Sequence, residues 1–580
     1  MVRLKQAERV LARLVSVFGG LVLTFVLSSS AHAASLTVSG GCSLNSAITS
    51  VNTTSDTGGC TSTGTYGSSD TITLPSGTTT LTADLPAHTA PVTVIGAGKT
   101  VSTINANGFK GFNGDFSSVD TGLYDFVYQD FTITGASEYG LSLLQPKSVT
   151  MTRLRIDDSQ TGAIATPITL VVTSSDIVNN TGFTVNFPGA LTGTFAGLLT
   201  MATPIDSADS PSITITGSTF NNNTAETSGL WIAALYQTGT GNTANDQVTI
   251  ERTTVLNNTA SKSSGIIISQ QDGVTAQVPL VLRVDGVTVA SNAVTVTSAN
   301  PLGNQPITSA QPYGSGLSIV ARVADNLTFT NLTLANNSVV NNYDDQPSLA
   351  GLVASLSSEG SNLKYVNSTV VNNTVTQADP GVLFGSFIQA GFKNVSFYAI
   401  KVQVFPSFDL LTGASAQNSI IAGNSRNGQI GSCVAGDKAA FGLSGTLDLT
   451  PTNLGNNLTD DPSCTGYNVI PNLVSTLGSL QDNGGPVPTI ALLPGSPAIG
   501  FAQQVLGIST DARGIARPAT PDAGAYQTVL GANTDTPGGQ ATQPQLPNTG
   551  ENSIFYTILS LISLTIGVYV AYVYWKNSHA

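Results

Sequence analysis

SDIVNNT (175–181), STFNNNT (218–224), TTVLNNT (253–259), VTVASNA (287–293), LTLANNS (332–338), STVVNNT (368–374) and SIIAGNS (419–425) are seven copies of one pattern. Each has an aliphatic, β-branched or aromatic residue third and an Asn sixth. Alternating runs such as SITITG (212–217) and QVTIER (247–252) precede several copies, with the period of a half-buried strand. Gly and a second apolar run follow most of them, as in GLWIAAL (229–235), GIIIS (265–269) and GLSIVA (316–321). The unit is strand, Asn turn, variable loop, Gly, strand, recurring every ~35–50 residues, which predicts a β-solenoid. One turn cannot bury its apolar face alone; stacked turns bury a continuous core with strands ~4.8 Å apart. Asn suits a stacked corner because its amide donates and accepts at once and tolerates left-handed backbone. The pairs Asn179/Asn180, Asn222/Asn223, Asn257/Asn258, Asn336/Asn337 and Asn372/Asn373 are therefore expected to form ladders.

Composition agrees. Charged residues are 9 % of the chain, against a typical ~25 %, while hydrophobic content is 41 % and spread along the length. The net charge of −13 argues against nucleic acid and anionic lipid as partners.

Both ends carry address information. Arg3, Lys5, Arg9 and Arg13 precede an apolar run from Leu14 to Leu27, and Ala31-His32-Ala33 follows. This is the pattern of a secretory signal cut after Ala33. Export makes the four cysteines, Cys42, Cys60, Cys433 and Cys464, candidates for oxidation, with three pairings open. Cys42–Cys60 and Cys433–Cys464 close the short loops. No CxxC or Cys/His cluster points to a metal, and no cofactor is implied. At the other end, Leu546-Pro547-Asn548-Thr549-Gly550 precedes an uncharged run from Ile554 to Trp575 of membrane-spanning length. The motif, the apolar run and the basic Lys576 together resemble the sorting signal read by sortases of Gram-positive-type cell walls. The resemblance implies cleavage between Thr549 and Gly550 and transfer of Thr549 to a peptidoglycan precursor, with the membrane as a partner before sorting. The stretch TDTPGGQATQPQ (534–545) reads as a mobile spacer.

The repeats resemble the right-handed parallel β-helix of bacterial surface proteins and polysaccharide-active enzymes, over about residues 70–430. Cys42-Ser43-Leu44, Ala47-Ile48 and the D-T-I-x-L-P run from Asp70 resemble the N-terminal segment of surface proteins beginning Cys-Ser-Leu-Arg-Glu-Ala. Asn45-Ser46 stand where that family has Arg-Glu. Such a segment is expected to cap the open end of the solenoid. Residues 418–527 resemble the C-terminal region of "choice-of-anchor" surface proteins, through NLGNNL (453–458), LQDNGGPVP (480–488), LLPGSPAI (492–499), TDARGIARP (510–518) and DAGAY (522–526). The family's final cysteine is absent here, which supports Cys433–Cys464.

The expected fold class is all-β, a right-handed parallel β-helix with an N-terminal signal peptide and a C-terminal transmembrane helix. The organisation reads as signal peptide 1–33, cap and first turns 34–110, repeats 111–430, C-terminal region 431–528, linker 529–545 and sorting signal 546–580, with a transmembrane segment at 553–575. A secreted, wall-anchored adhesin or stalk binding glycan or protein ligands is the expected role. A polysaccharide lyase or glycoside hydrolase on the same scaffold is the alternative, since paired carboxylates or a base with an acidic partner carry that chemistry. Arg155, Asp157 and Asp158 are the candidate residues, with Arg153, Arg155 and Asp157 alternating along one strand. Asp344-Asp345 and Asp460-Asp461 read as turns. Trp231 reads as core, and Tyr343 and Tyr365 as candidate surface aromatics.

Overall fold

A computed structural model describes residues 33–529. Outside the description lie residue 68 and segments 116–123, 188–190, 202–210, 234–245, 270–279, 297–312, 322–326, 343–347, 357–362, 378–390, 393–396, 399–400, 403–409, 412–413, 431, 433–434, 438–445, 449–451 and 463. The described residues, Ala33 to Val529, belong to one compact unit.

Parallel strand pairing runs from Ser35–Thr37, against Asp70–Thr73, to Asn468–Val469, against Leu458–Thr459. Three sheets wrap one core, and strands in successive turns pair in register, which makes the chain a β-solenoid. The core is built of columns. The third position of the motif gives one: Ile133, Ile156, Ile177, Phe220, Val255, Val289, Leu334, Val370 and Ile421 stack turn on turn. Tyr128, Met151, Val172, Ile215, Ile250, Val284, Phe329 and Tyr365 give another. All of these side chains are buried. Between them, β-branched Thr150, Thr214 and Thr249 face outward, where a pleated surface suits them.

The paired asparagines divide the labour. The fifth motif position bends the chain, with positive φ at Asn179, Asn222, Asn257, Ser291, Asn336, Asn372 and Gly423. The sixth turns inward. Asn180, Asn223, Asn258, Asn292, Asn337, Asn373 and Asn424 are fully buried and form one ladder, each Nδ2 donating to the next Oδ1 at 2.9–3.1 Å. A second left-handed column lies just before the motif, at Ser174, Gly217, Arg252, Gly286, Asn331, Asn367 and Asn418. This corner folds each long strand across two faces, and its mixed chemistry hid it in the sequence.

The N-terminal end is capped. Ser43 accepts from the Ser46 N–H and starts the helix Leu44–Thr53, whose Leu44, Ala47, Ile48 and Val51 lie in the main core. A disulfide joins Cys42 to Cys60. A strap follows: Asn45 and Asn52 donate to the carbonyls of Asp84 and Ala87, while the N–H groups of Leu85 and His88 reach the carbonyls of Lys110 and Asn113. Under the strap, His88 is buried among Phe112, Phe126 and Tyr128, and neither ring nitrogen has a partner. Burial pushes its pKa down to about 4. The folded value lies below the unfolded value, so this contribution is complete above about pH 6.5 and is lost as pH falls towards 4. Chemical denaturation is expected to show about 3 kcal/mol lost from this site between pH 7 and 4. His88→Leu should remove that dependence.

Two expectations are corrected. The transmembrane helix is withdrawn from the fold class: among the described residues no helix is long and apolar enough to cross a membrane. The one α-helix there, Leu44–Thr53, has ten residues and spans only ~15 Å. Segment 553–575 itself lies outside the described residues, as does the leader to residue 32. Tyr365 is not a surface residue but is buried and stacked on Phe329. Trp231 is buried as expected, in an apolar cluster with Phe195 of the antiparallel pair Phe183–Phe187/Leu191–Phe195. Tyr343 lies outside the described residues.

Candidate functional site

Arg155, Asp157 and Asp158 belong to LRIDDSQ (154–160), one more turn of the same design. Ile156 points into the core, Asp158 takes the left-handed bend at φ 48°, and Ser159 is buried where later turns place the ladder asparagine. The Ser159 N–H donates to Asn180 Oδ1 and so starts the ladder. Arg155 donates to Asp157 Oδ2 through Nε at 3.0 Å and Nη2 at 2.8 Å, and Asn179 Nδ2 donates to Oδ1 at 2.8 Å. Both Asp157 oxygens are thus engaged by neighbours in the same rim. Lys99 Nζ, at 2.8 Å from Asp176, extends this rim, and Asn222 donates to Asn179. Arg153 does not share the face. It lies at the corner, with φ 48°, and pairs with Asp130, because a left-handed residue breaks the strand's alternation. The exposed Asp158 does not converge with Asp157 on a common partner. Pairs of this half-exposed kind contribute roughly 0–1 kcal/mol each.

Asp460 and Asp461 serve the backbone. Asp460 accepts from the Gly423 N–H, and burial raises its pKa; Asp461 accepts from the Ser432 N–H. Asp344 and Asp345 lie outside the described residues, and among the described residues no group of His, Cys, Asp and Glu could hold a metal. Cys464 is disulfide-bonded, and Cys433 lies outside the described residues.

The largest feature missed by reading the sequence is a clasp formed by residues 473–528. It doubles back along the outside of the solenoid. The outer positions of the early turns are polar or mixed, as in DIV (176–178) and TFN (219–221). Those of later turns are small or apolar: TVA (288–290), TLA (333–335), TVV (369–371) and IIA (420–422). Ala290, Ala335, Val371, Ile420 and Ala422 pack there against Leu473, Leu477, Ile490, Leu492 and Ala498. That loss of alternation was the available signal.

Arg517 locks the clasp. It donates to the carbonyls of Asp522 and Gly524 at 3.0 and 2.8 Å, and to Asn331 Oδ1 at 3.0 Å on the solenoid corner. Burial pushes its pKa down to about 10, which leaves it charged at neutral pH. Nearby, Arg513 pairs with buried Asp511 at 2.8 Å and lies over the Tyr526 ring at 3.7 Å. Arg517→Met should cost about 3 kcal/mol, because four acceptors, the carbonyls of Thr510, Asp522 and Gly524 and Asn331 Oδ1, lose a charged donor. Limited proteolysis is expected to cut that variant first within 473–528.

The recognition residues Leu546, Pro547, Asn548, Thr549 and Gly550 lie outside the described residues. Residues 540–578 match the family model described as the LPXTG cell wall anchor motif. No curated protein matches the chain. The protein is exported, and sortase anchors its mature form covalently to the peptidoglycan of the cell wall.

Proposed function

We propose that the chain is a wall-anchored adhesin or structural stalk that binds extracellular glycan or protein ligands through loops between its repeats. The supporting observation is the anchor signal joined to a solenoid whose frame repeats while its insertions vary. Successive ladder asparagines are 43, 35, 34, 45, 36 and 51 residues apart although their geometry is constant. The extra residues fall within 186–210, 294–314 and 341–349; of these, Leu191–Phe195 and Leu198–Thr200 are strands, and 188–190, 202–210, 297–312 and 343–347 lie outside the described residues. We assign the N-terminal cap to the Cys-Ser-Leu-Arg-Glu-Ala type and the clasp to the choice-of-anchor type, on the motifs quoted above, and give the solenoid the right-handed winding of that class.

The test is recombinant Ala34–Gln540 on a panel of polysaccharides and host-matrix proteins, reading retention and released products together. Retention without product is the expected result. Release of oligosaccharides, abolished by Asp157→Asn or Asp158→Asn in a folded chain, would replace this reading with an enzyme. For the anchor, mass spectrometry of wall fragments should find Thr549 joined to the peptidoglycan cross-bridge and no peptide from Gly550–Ala580.

A further inference from the structure

Asp70 is fully buried, and among the described residues no Lys, Arg or His pairs with it. Its carboxylate accepts from the Gly67 N–H at 3.0 and 3.1 Å and from the backbone nitrogen of Ala34 at 3.0 Å. Ala34 is also fully buried. The Thr71 N–H donates to its carbonyl at 2.8 Å, and the next three residues, Ser35–Thr37, form the first strand against Thr71–Thr73. The nitrogen is therefore held against the carboxylate by the ladder itself. Burying a carboxylate without a cation is unfavourable, and backbone N–H groups offset that only in part. The leader motif Ala31-His32-Ala33 ends at the residue before this nitrogen.

We propose that cleavage of the leader after Ala33 makes the Ala34 nitrogen an α-ammonium that serves as the buried counter-ion of Asp70. Export processing thereby completes the N-terminal cap. In the cleavage, a leader peptidase adds water across the Ala33–Ala34 peptide bond. The hydroxyl stays on the Ala33 carboxyl group, and the released amine takes up a proton. The amide–carboxylate hydrogen bond, charged on the acceptor side alone, becomes an ion pair charged on both sides, shorter and stronger in kind. A chain that keeps its leader, or any N-terminal extension, has the same strand but no cation at Asp70.

The test compares the mature chain beginning at Ala34 with one carrying Gly-Ser-Gly before Ala34, each with Asp70 and with Asp70→Asn. In the folded mature chain, acetylation of the Ala34 amine by an N-hydroxysuccinimide ester should be about tenfold or more slower than in urea. Asp70→Asn should restore labelling. Amide exchange over residues 35–37 and 71–73 should be about tenfold or more faster in the extended chain, and Asp70→Asn should abolish that difference. Equal labelling of folded and unfolded chains, or equal exchange with and without the extension, would overturn the proposal. So would secreted protein whose first residue is not Ala34. If Asp70→Asn does not fold, the extension decides alone. None of these readouts depends on a ligand, so they stand apart from the adhesin reading.

Discussion

A chain carrying Gly265→Ala is expected not to close its solenoid around residues 229–316. Gly197, Gly229, Gly265, Gly316 and Gly351 stack at the entry to one sheet, and a Cβ on any of the first four would fall on the carbonyl of the next. A Cβ on Gly265 would fall on the Gly316 carbonyl, 2.8 Å from its carbon and 2.5 Å from the Ser315 carbonyl oxygen. These are backbone atoms already in the ladder: the Ile266 N–H donates to the Gly316 carbonyl at 2.9 Å, and the Leu230 N–H donates to the Gly265 carbonyl at 3.0 Å. Relief requires separating two turns, which breaks hydrogen bonds and opens the core between Leu230, Ile266 and Leu317. The expected loss exceeds about 4 kcal/mol, the range reserved for overpacking in a rigid site. Hydrogen exchange should place the damage in the turns on either side of residue 265, since solenoid repeats couple mainly to their neighbours. Gly40→Ala, where nothing lies within 4 Å of the added carbon, is the control and should melt like the parent. A Gly265→Ala chain with parental protection would refute the close-packing account.

Asn258→Leu should cost about 4 kcal/mol although its volume fits, because the Asn258 amide has no spare valence. Its Oδ1 accepts from the Asn223 backbone N–H at 2.9 Å and from Asn223 Nδ2 at 3.1 Å. Its Nδ2 donates to Asn292 Oδ1 at 2.9 Å and to the Phe220 carbonyl at 3.1 Å. Leucine leaves the Asn223 backbone N–H buried with no acceptor and removes a donor from Asn292, each worth about 1–3 kcal/mol. An aspartate at this position would keep the acceptors but set a buried carboxylate against two oxygens, so Asn258→Asp should be no better. Exchange of the Asn223 and Asn258 amides, followed by mass spectrometry, reads the effect. Parental protection in both variants would show that the ladder is dispensable.

The repeat, its parallel solenoid and its Asn corner were legible because register makes them so. A residue that recurs once per turn must meet its own copies, and an Asn amide donates and accepts enough to saturate a buried column. The sequence did not say which Asn of each pair bends and which bonds. The backbone decides that, since the left-handed fifth residue rotates the sixth inward. The Asp157-Asp158 pair was legible as chemistry and lies at a strand end and the left-handed corner after it. Its spacing repeats the motif, while its neighbours Arg155 and Asn179 come from pairing that no local pattern displays.

The sequence alone determined the address, the anchor and the existence of stacked turns, because leader, sorting motif and period are local signals read along the chain. Tertiary structure alone decided three things: the clasp over the later turns, the aromatic pocket that strips His88 of partners, and the meeting of Asp70 with Ala34. Each joins segments that loops of variable length separate, so sequence distance carries no information about them. What brings them together is burial. Apolar outer positions call for a cover, and a buried carboxylate calls for a cation, but only the folded chain shows which segment answers.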